Sequence, residues 1–337
     1  MTTLQPVAIG DGGADAARLG FGCAYLFRRS ARQRRRLLDA AFDAGIRHFD
    51  AAPMYGLGAV EREIGRFARG RRDEIVVATK FGIAPRAAAG AISLAQAPIH
   101  GLLAAVSSGS KIAAPNASDP TKGAVGRALY RASGFDARAA RTGLEQSLRA
   151  LGTSYIDIFL LHEPRPSDIA SDVVEFLDSA QRAGKVRTWG VAGEPRTAVV
   201  SAKEMGVTVP VLQIRADLPH RELALGAGEY ADRTIWYGVL GRVLPRIVAR
   251  ARSSDDVRRR WNDALGADCT NAGVVADLLL RDALAESASA TVLFSTTRPD
   301  RVEAAARAAA RSDDDDGTLA TLRTLVAEDL RLSSGAG

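Results

Sequence analysis

The chain has 337 residues, 47% of them apolar, and a formal charge of +6 at pH 7. That length admits one large domain or two ordinary ones, and the apolar fraction can supply a sizeable core. No run approaches the ~20 apolar residues of a membrane span, Met1 to Gly13 lack the basic start and apolar stretch of a signal peptide, and two distant cysteines, Cys23 and Cys269, suit neither a disulfide framework nor a zinc site. A cytoplasmic protein without membrane or nucleic-acid partners is therefore expected. The positive charge is nearly all Arg, the lysines being Lys80, Lys111, Lys122, Lys185 and Lys203. Its one dense cluster, Arg32 and Arg34 to Arg36, reads as a solvated helix face.

In chain order, eight short apolar runs read as strands: Leu19 to Cys23, Ile46 to Ala51, Ile75 to Lys80, Ile156 to Leu161, Val186 to Ala192, Val211 to Ile214, Thr234 to Tyr237 and Thr291 to Phe294. Helical patterns fill 31–44, 58–69, 136–151, 168–183, 195–205, 271–285 and 299–311, rich in Ala, Leu, Arg and Glu. Gly45, Gly70, Gly152 and Gly184 stand where helices stop. Alternation of strand and helix predicts the α/β class with a parallel sheet, and eight strands predict a (β/α)8 TIM barrel with long loops at its C-terminal face. Residues 1–337 are read as that single domain, with insertions at 83–135 and 239–270 and a C-terminal helical tail over 317–332. The Ser-, Gly-, Pro- and Asn-containing 83–135 segment is expected to be a mobile lid that orders on ligand binding. Asp313 to Asp316 precede the tail and suit a helix N-terminus.

Three strands end in proton-active side chains. They are Phe49-Asp50-Ala51-Ala52-Pro53-Met54-Tyr55-Gly56, Ala78-Thr79-Lys80-Phe81-Gly82 and Leu160-Leu161-His162-Glu163-Pro164. Barrel sites assemble at the C-terminal ends of strands, so Asp50, Tyr55, Lys80 and His162 converge in this reading. A cation beside a phenol favours the phenolate and lowers its pKa, so Lys80 is expected to tune Tyr55 while Asp50 holds the ammonium. Tyr55 is then a general acid, and His162 orients the substrate oxygen. No G-x-S-x-G elbow, no H-x-x-x-H spacing and no Rossmann glycine motif competes, so no metal site is expected.

These motifs, D-x-A-x-x-Y-G, T-K-F-G and L-L-H in that order, resemble the aldo-keto reductase superfamily. The resemblance extends through Gly184 to Val191 and into Val292 to Val302. It implies an NADP(H)-dependent oxidoreductase that reduces an aldehyde or ketone to an alcohol, with a small-molecule carbonyl or alcohol as substrate. A dehydrogenase of sugars or alcohols, and a nucleotide-binding regulatory barrel without turnover, are the alternatives. By the resemblance, Gln213 contacts the nicotinamide carboxamide, Tyr237 stacks on the ring, and Leu240 and Gly241 follow in the same cofactor loop. Ser295, Thr296, Arg298 and Arg301 match the phosphate-binding turn, Arg301 meeting the 2′-phosphate, so NADPH is expected over NADH, which remains possible. The chain departs from the family at Ala192-Gly193, where Ser-Asn usually helps hold the carboxamide, at Val239 for a proline, and at Ala305 for an Asn.

Overall fold

The computed structural model describes residues 6–8, 15–86, 129–229, 231–287, 290–311 and 317–330. Eight parallel strands close on themselves in chain order. They are β1 (Leu19–Gly22), β2 (His48–Asp50), β3 (Val76–Phe81), β4 (Ile156–His162), β5 (Val186–Gly193), β6 (Val209–Arg215), β7 (Ala231–Tyr237) and β8 (Thr291–Phe294). The last pairs with the first, Val292 opposite Leu19 and Phe294 opposite Phe21, so the barrel has no edge strand. The expected (β/α)8 barrel is the fold. Among the described residues the α-helices are α1 (Ala31–Asp43), α2 (Ala59–Ala68), α3 (Ala137–Leu151), α4 (Asp172–Arg182), α5 (Pro195–Glu204), α6 (Arg221–Gly226), α7 (Val243–Ala251), α8 (Asp255–Leu265), α9 (Ala272–Glu286), α10 (Pro299–Ala310) and α11 (Thr318–Leu330).

Side chains alternate across a strand, and this alternation sorts the core into two layers. Phe21, Phe49, Val77, Phe159 and Leu161 face outward and pack with helix residues such as Leu38, Ile64, Phe67, Leu144 and Leu177. Val76, Ala78, Ile158, Leu160, Ala192, Val211, Ile235 and Leu293 face inward and form a separate apolar plug. Two residues further along the inward rows come Lys80, His162, Gln213 and Tyr237. His48 leads to Asp50 in the same way. The plug is the floor, and the polar ring above it is the mouth.

Local signals set the helix ends. Ser30 caps α1 in a reciprocal box with Gln33, and Asp136 caps α3 by accepting the Ala139 N–H. Gly152 ends α3 in the left-handed conformation. The two ends of the 83–135 segment pair with each other, Ile83–Pro85 antiparallel to Tyr130–Ala132. Its central part, 87–128, lies outside the described residues, as do Asp313 to Asp316. Pro6–Ala8 pairs with Asp15–Ala17 ahead of β1, a hairpin that the apolar pattern did not reveal.

The 239–270 insertion and the tail share one purpose. α7, α8, α9 and α11 enclose a second apolar cluster that includes Val243, Ile247, Trp261, Leu279, Leu319 and Val326. Trp261, fully buried, donates its Nε1–H to Asp329 at 2.7 Å. Insertion and tail thus cover each other's apolar faces on the flank of the barrel. Among the described residues, no helix is long and apolar enough to cross a membrane.

Candidate active site

Lys80 reaches the mouth as the third inward residue of β3 and is 2% exposed. An ammonium so deep is costly without partners. Its Nζ donates to both oxygens of Asp50 and to Ala51 O, each at 2.8 Å. Three acceptors take up its three N–H donors. Asp50 also accepts from Gln213 Nε2 at 2.8 Å, which joins β6 to β2 across the lumen.

Tyr55 sits in the loop after β2, on a turn that continues through Gly56, Leu57 and Gly58, all at positive φ. At Gly56 a Cβ would lie 2.6 Å from Phe27 Cβ, so only glycine fits that left-handed corner. The Lys80 ammonium lies 5.5 Å from the centroid of the Tyr55 ring, and the His162 ring meets it edge-on with centroids 6.4 Å apart. Asp50, Tyr55, Lys80 and His162 therefore share one pocket, together with Gln213, Tyr237, Leu240, Gly241 and Ser295.

The electrostatics correct one sequence expectation. Burial pushes the Tyr55 phenol well above its ordinary range, and the Asp50 charge pushes it further the same way. The Lys80 ammonium, 5.5 Å from the ring centroid, does not offset that burial. The phenol is held as a phenol. Burial also drives His162 well below the usual imidazole value, with Lys80 adding to the effect, so the ring is neutral. Its Nδ1 is buried and has no protein partner.

Thr296, Arg298 and Arg301 do not line this pocket; they continue from Ser295 into the N-terminus of α10. Thr296 Oγ1 accepts the Arg298 backbone N–H at 3.2 Å. The Arg298 guanidinium pairs with Asp300, with Nε to Oδ1 at 3.0 Å, on the exposed surface. Arg301 is exposed one turn on. The set fits an extended dinucleotide. It has an aromatic face at Tyr237, an amide at Gln213 whose oxygen is left as an acceptor, and a helix N-terminus with hydroxyls and arginines for phosphate.

Sequence reasoning missed charged members of the mouth. Arg215, 1% exposed, lies on the inward face two residues beyond Gln213 and stacks 5.4 Å from the Tyr237 ring centroid. Its Nε donates to Glu194 Oε2 at 3.0 Å. The period of two along β6 was a usable signal for it. Glu163 also lines the pocket, and nothing in the sequence pattern pointed there.

The chain matches the model of the Aldo/keto reductase family over residues 18–323. It is similar to the D-threo-aldose 1-dehydrogenase of a Pseudomonas species, 29% identical over 217 residues covering 60% of this chain and 57% of that protein. The NADP(+) aldo-keto reductase yakc of Schizosaccharomyces pombe is 27% identical over 180 residues, 52% of this chain and 42% of that one. The matched part thus spans about half the length of these curated relatives. Among solved structures, an aldo-keto reductase from Klebsiella pneumoniae in complex with NADPH superposes with a TM-score of 0.65, at 20% identity, over 96% of this chain and 95% of that one. The holo form of an aldo-keto reductase from Bacillus halodurans gives 0.64 at 19% identity over 91% of each chain. At those identities the likeness is one of fold.

Proposed function

This chain belongs to the aldo/keto reductase family, and from that premise we propose that it interconverts a small carbonyl compound and its alcohol using NADP(H). The observation that carries the reading is the buried group itself. A neutral phenol, a neutral imidazole and a fully coordinated ammonium–carboxylate pair share the pocket that Gln213 and Tyr237 also line.

Reduced nicotinamide, when bound, supplies the hydride. Tyr55 gives its proton to the carbonyl oxygen as negative charge develops there. A phenol with a raised pKa holds that proton throughout the neutral range, which suits reduction. His162, as a neutral ring, offers an N–H to the same oxygen and fixes its position. The Lys80 ammonium stands close enough to stabilise the phenolate left behind, and Asp50 and Ala51 O keep it charged and in place. Oxidation needs the phenolate first, so the reverse reaction gains as pH rises.

Arg298 and Arg301 at the start of α10, together with Ser295 and Thr296, favour the 2′-phosphate of NADP(H) over the bare ribose of NADH. The name of the Pseudomonas relative makes aldoses, oxidised at C1, the first alcohols to try, with their open-chain aldehydes in reduction.

The test is reduced-nicotinamide absorbance over a panel of aldehydes, ketones and aldoses, for wild type and Tyr55→Phe. Removing the phenol oxygen should lower kcat/KM by at least ~100-fold, with NADPH affinity unchanged. Full activity in Tyr55→Phe would remove the phenol from the mechanism.

A further inference from the structure

Glu163 ends β4 with φ at +55°, in the left-handed region that a glutamate rarely adopts. In a continuing strand it would face the helix layer, opposite His162. The left-handed turn returns it to the pocket, where it forms part of the wall. Its backbone N–H is pinned to Ala192 O at 2.7 Å, so β5 holds the turn in place. Backbone strain kept at a pocket wall is where a functional reason is worth seeking.

The neighbouring strand suggests that reason. Ala192 and Gly193 of β5 stand level with Gln213 and Ile214 of β6. At the height of Gln213, β5 therefore presents no polar side chain. Glu163 Oε2 lies 3.7 Å from where a Cβ on Gly193 would stand, so the carboxylate leans against this bare stretch. It is also the foremost charge, after burial itself, in raising the Tyr237 phenol, which puts it beside the proposed stacking ring. Gln213 has committed its Nε2 to Asp50, leaving Oε1 as its acceptor.

We propose that Glu163 binds the nicotinamide carboxamide, its carboxylate accepting one amide N–H while Gln213 Oε1 accepts the other, in place of the side chains that β5 lacks. The proposal rests on the NADP(H) reading above. It makes the left-handed turn after His162 a cofactor-contacting feature of this chain.

Calorimetric titration tests it without turnover. The probes are NADP+ and its 3-acetylpyridine analogue, in which a methyl group replaces the amide NH2. Wild type should bind NADP+ about 10- to 100-fold more tightly, the range of a charge-assisted hydrogen bond. Glu163→Ala should cut that preference at least ~5-fold, as should Glu163→Asn, which tolerates the left-handed turn but shortens the reach. A Cβ at Gly193 meets only ordinary contacts, the nearest being Ala198 Cβ at 3.6 Å. Adding Gly193→Asn to Glu163→Ala should therefore restore the preference. Equal binding of the two probes by wild type, or an unchanged preference in both Glu163 variants, overturns the assignment. Failure of wild type to bind NADP+ at all is a distinct result and overturns the cofactor reading beneath it.

Discussion

Lys80→Met separates the structural from the chemical weight of the buried pair. The ammonium is 2% exposed and its partner Asp50 4%. Three contacts at 2.8 Å vanish with it. Among the described residues Asp50 then keeps only Gln213 Nε2 as a side-chain donor, also at 2.8 Å. Removing one partner of a buried ion pair strands the other charge, at a cost of about 3–5 kcal/mol. For a chain of this size, with an unfolding entropy of about 2.1 cal/mol/K per residue, that lowers Tm by roughly 4–7 °C. Lys80→Met/Asp50→Asn leaves no charge to strand, and a neutral pair of similar volume is often as stable as the ions it replaces. The double variant should recover at least half of the lost stability, its Asn oxygen still accepting from Gln213. Turnover should stay down by ~100-fold or more in both variants. Urea unfolding and thermal melts, read beside NADPH oxidation, give all three quantities. If Lys80→Met melts with wild type, or the double variant is no better than the single, the buried-charge argument fails.

Three other perturbations follow from the geometry. His48 lies in the lumen beneath Asp50, fully buried, with neither ring nitrogen bonded, and burial holds its pKa at about 4. The unfolded imidazole takes up its proton near pH 6.5 and the folded one only near 4, so its contribution is complete above pH 6.5 and is lost as pH falls towards 4. That amounts to roughly 3 kcal/mol of acid-dependent stability, which His48→Leu should abolish in melts across that window. Glu194→Gln, which takes the carboxylate from a guanidinium 1% exposed, should destabilise more than Arg215→Met, which leaves a carboxylate still a third open to solvent; equal melting shifts would refute that asymmetry. Arg301→Ala should lower the NADPH-over-NADH ratio of kcat/KM by about 10-fold or more, while Asp300→Asn, by releasing Arg298, should raise NADPH affinity a few-fold; ratios unmoved by either would detach the α10 turn from the 2′-phosphate.

Much of this protein is legible from local pattern. The eight strands and their helices follow from apolar runs, glycine stops and helix formers, because each signal acts within a few residues. Asp50, Lys80, His162 and Gln213 were findable for the same reason. A period of two carries each inward row from the apolar plug to the mouth, and each motif marks where a row ends. The family likeness rests on the motifs around Asp50, Tyr55, Lys80 and His162.

Other features depended on which atoms meet across the barrel. That burial outweighs the Lys80 charge at Tyr55 could not be read from the motifs, since the phenol is desolvated only once the lumen has formed. Likewise, insertion 239–270 and the tail look like separate additions until α8 and α11 bury Trp261 between them. Glu163 is the clearest case. The strand period assigns it to the helix layer, and a single left-handed residue, pinned by Ala192 of the next strand, turns it into the pocket. Side-chain periodicity is a property of the chain and survives in the sequence, whereas desolvation, ion pairing and a strained φ exist only when distant segments press together.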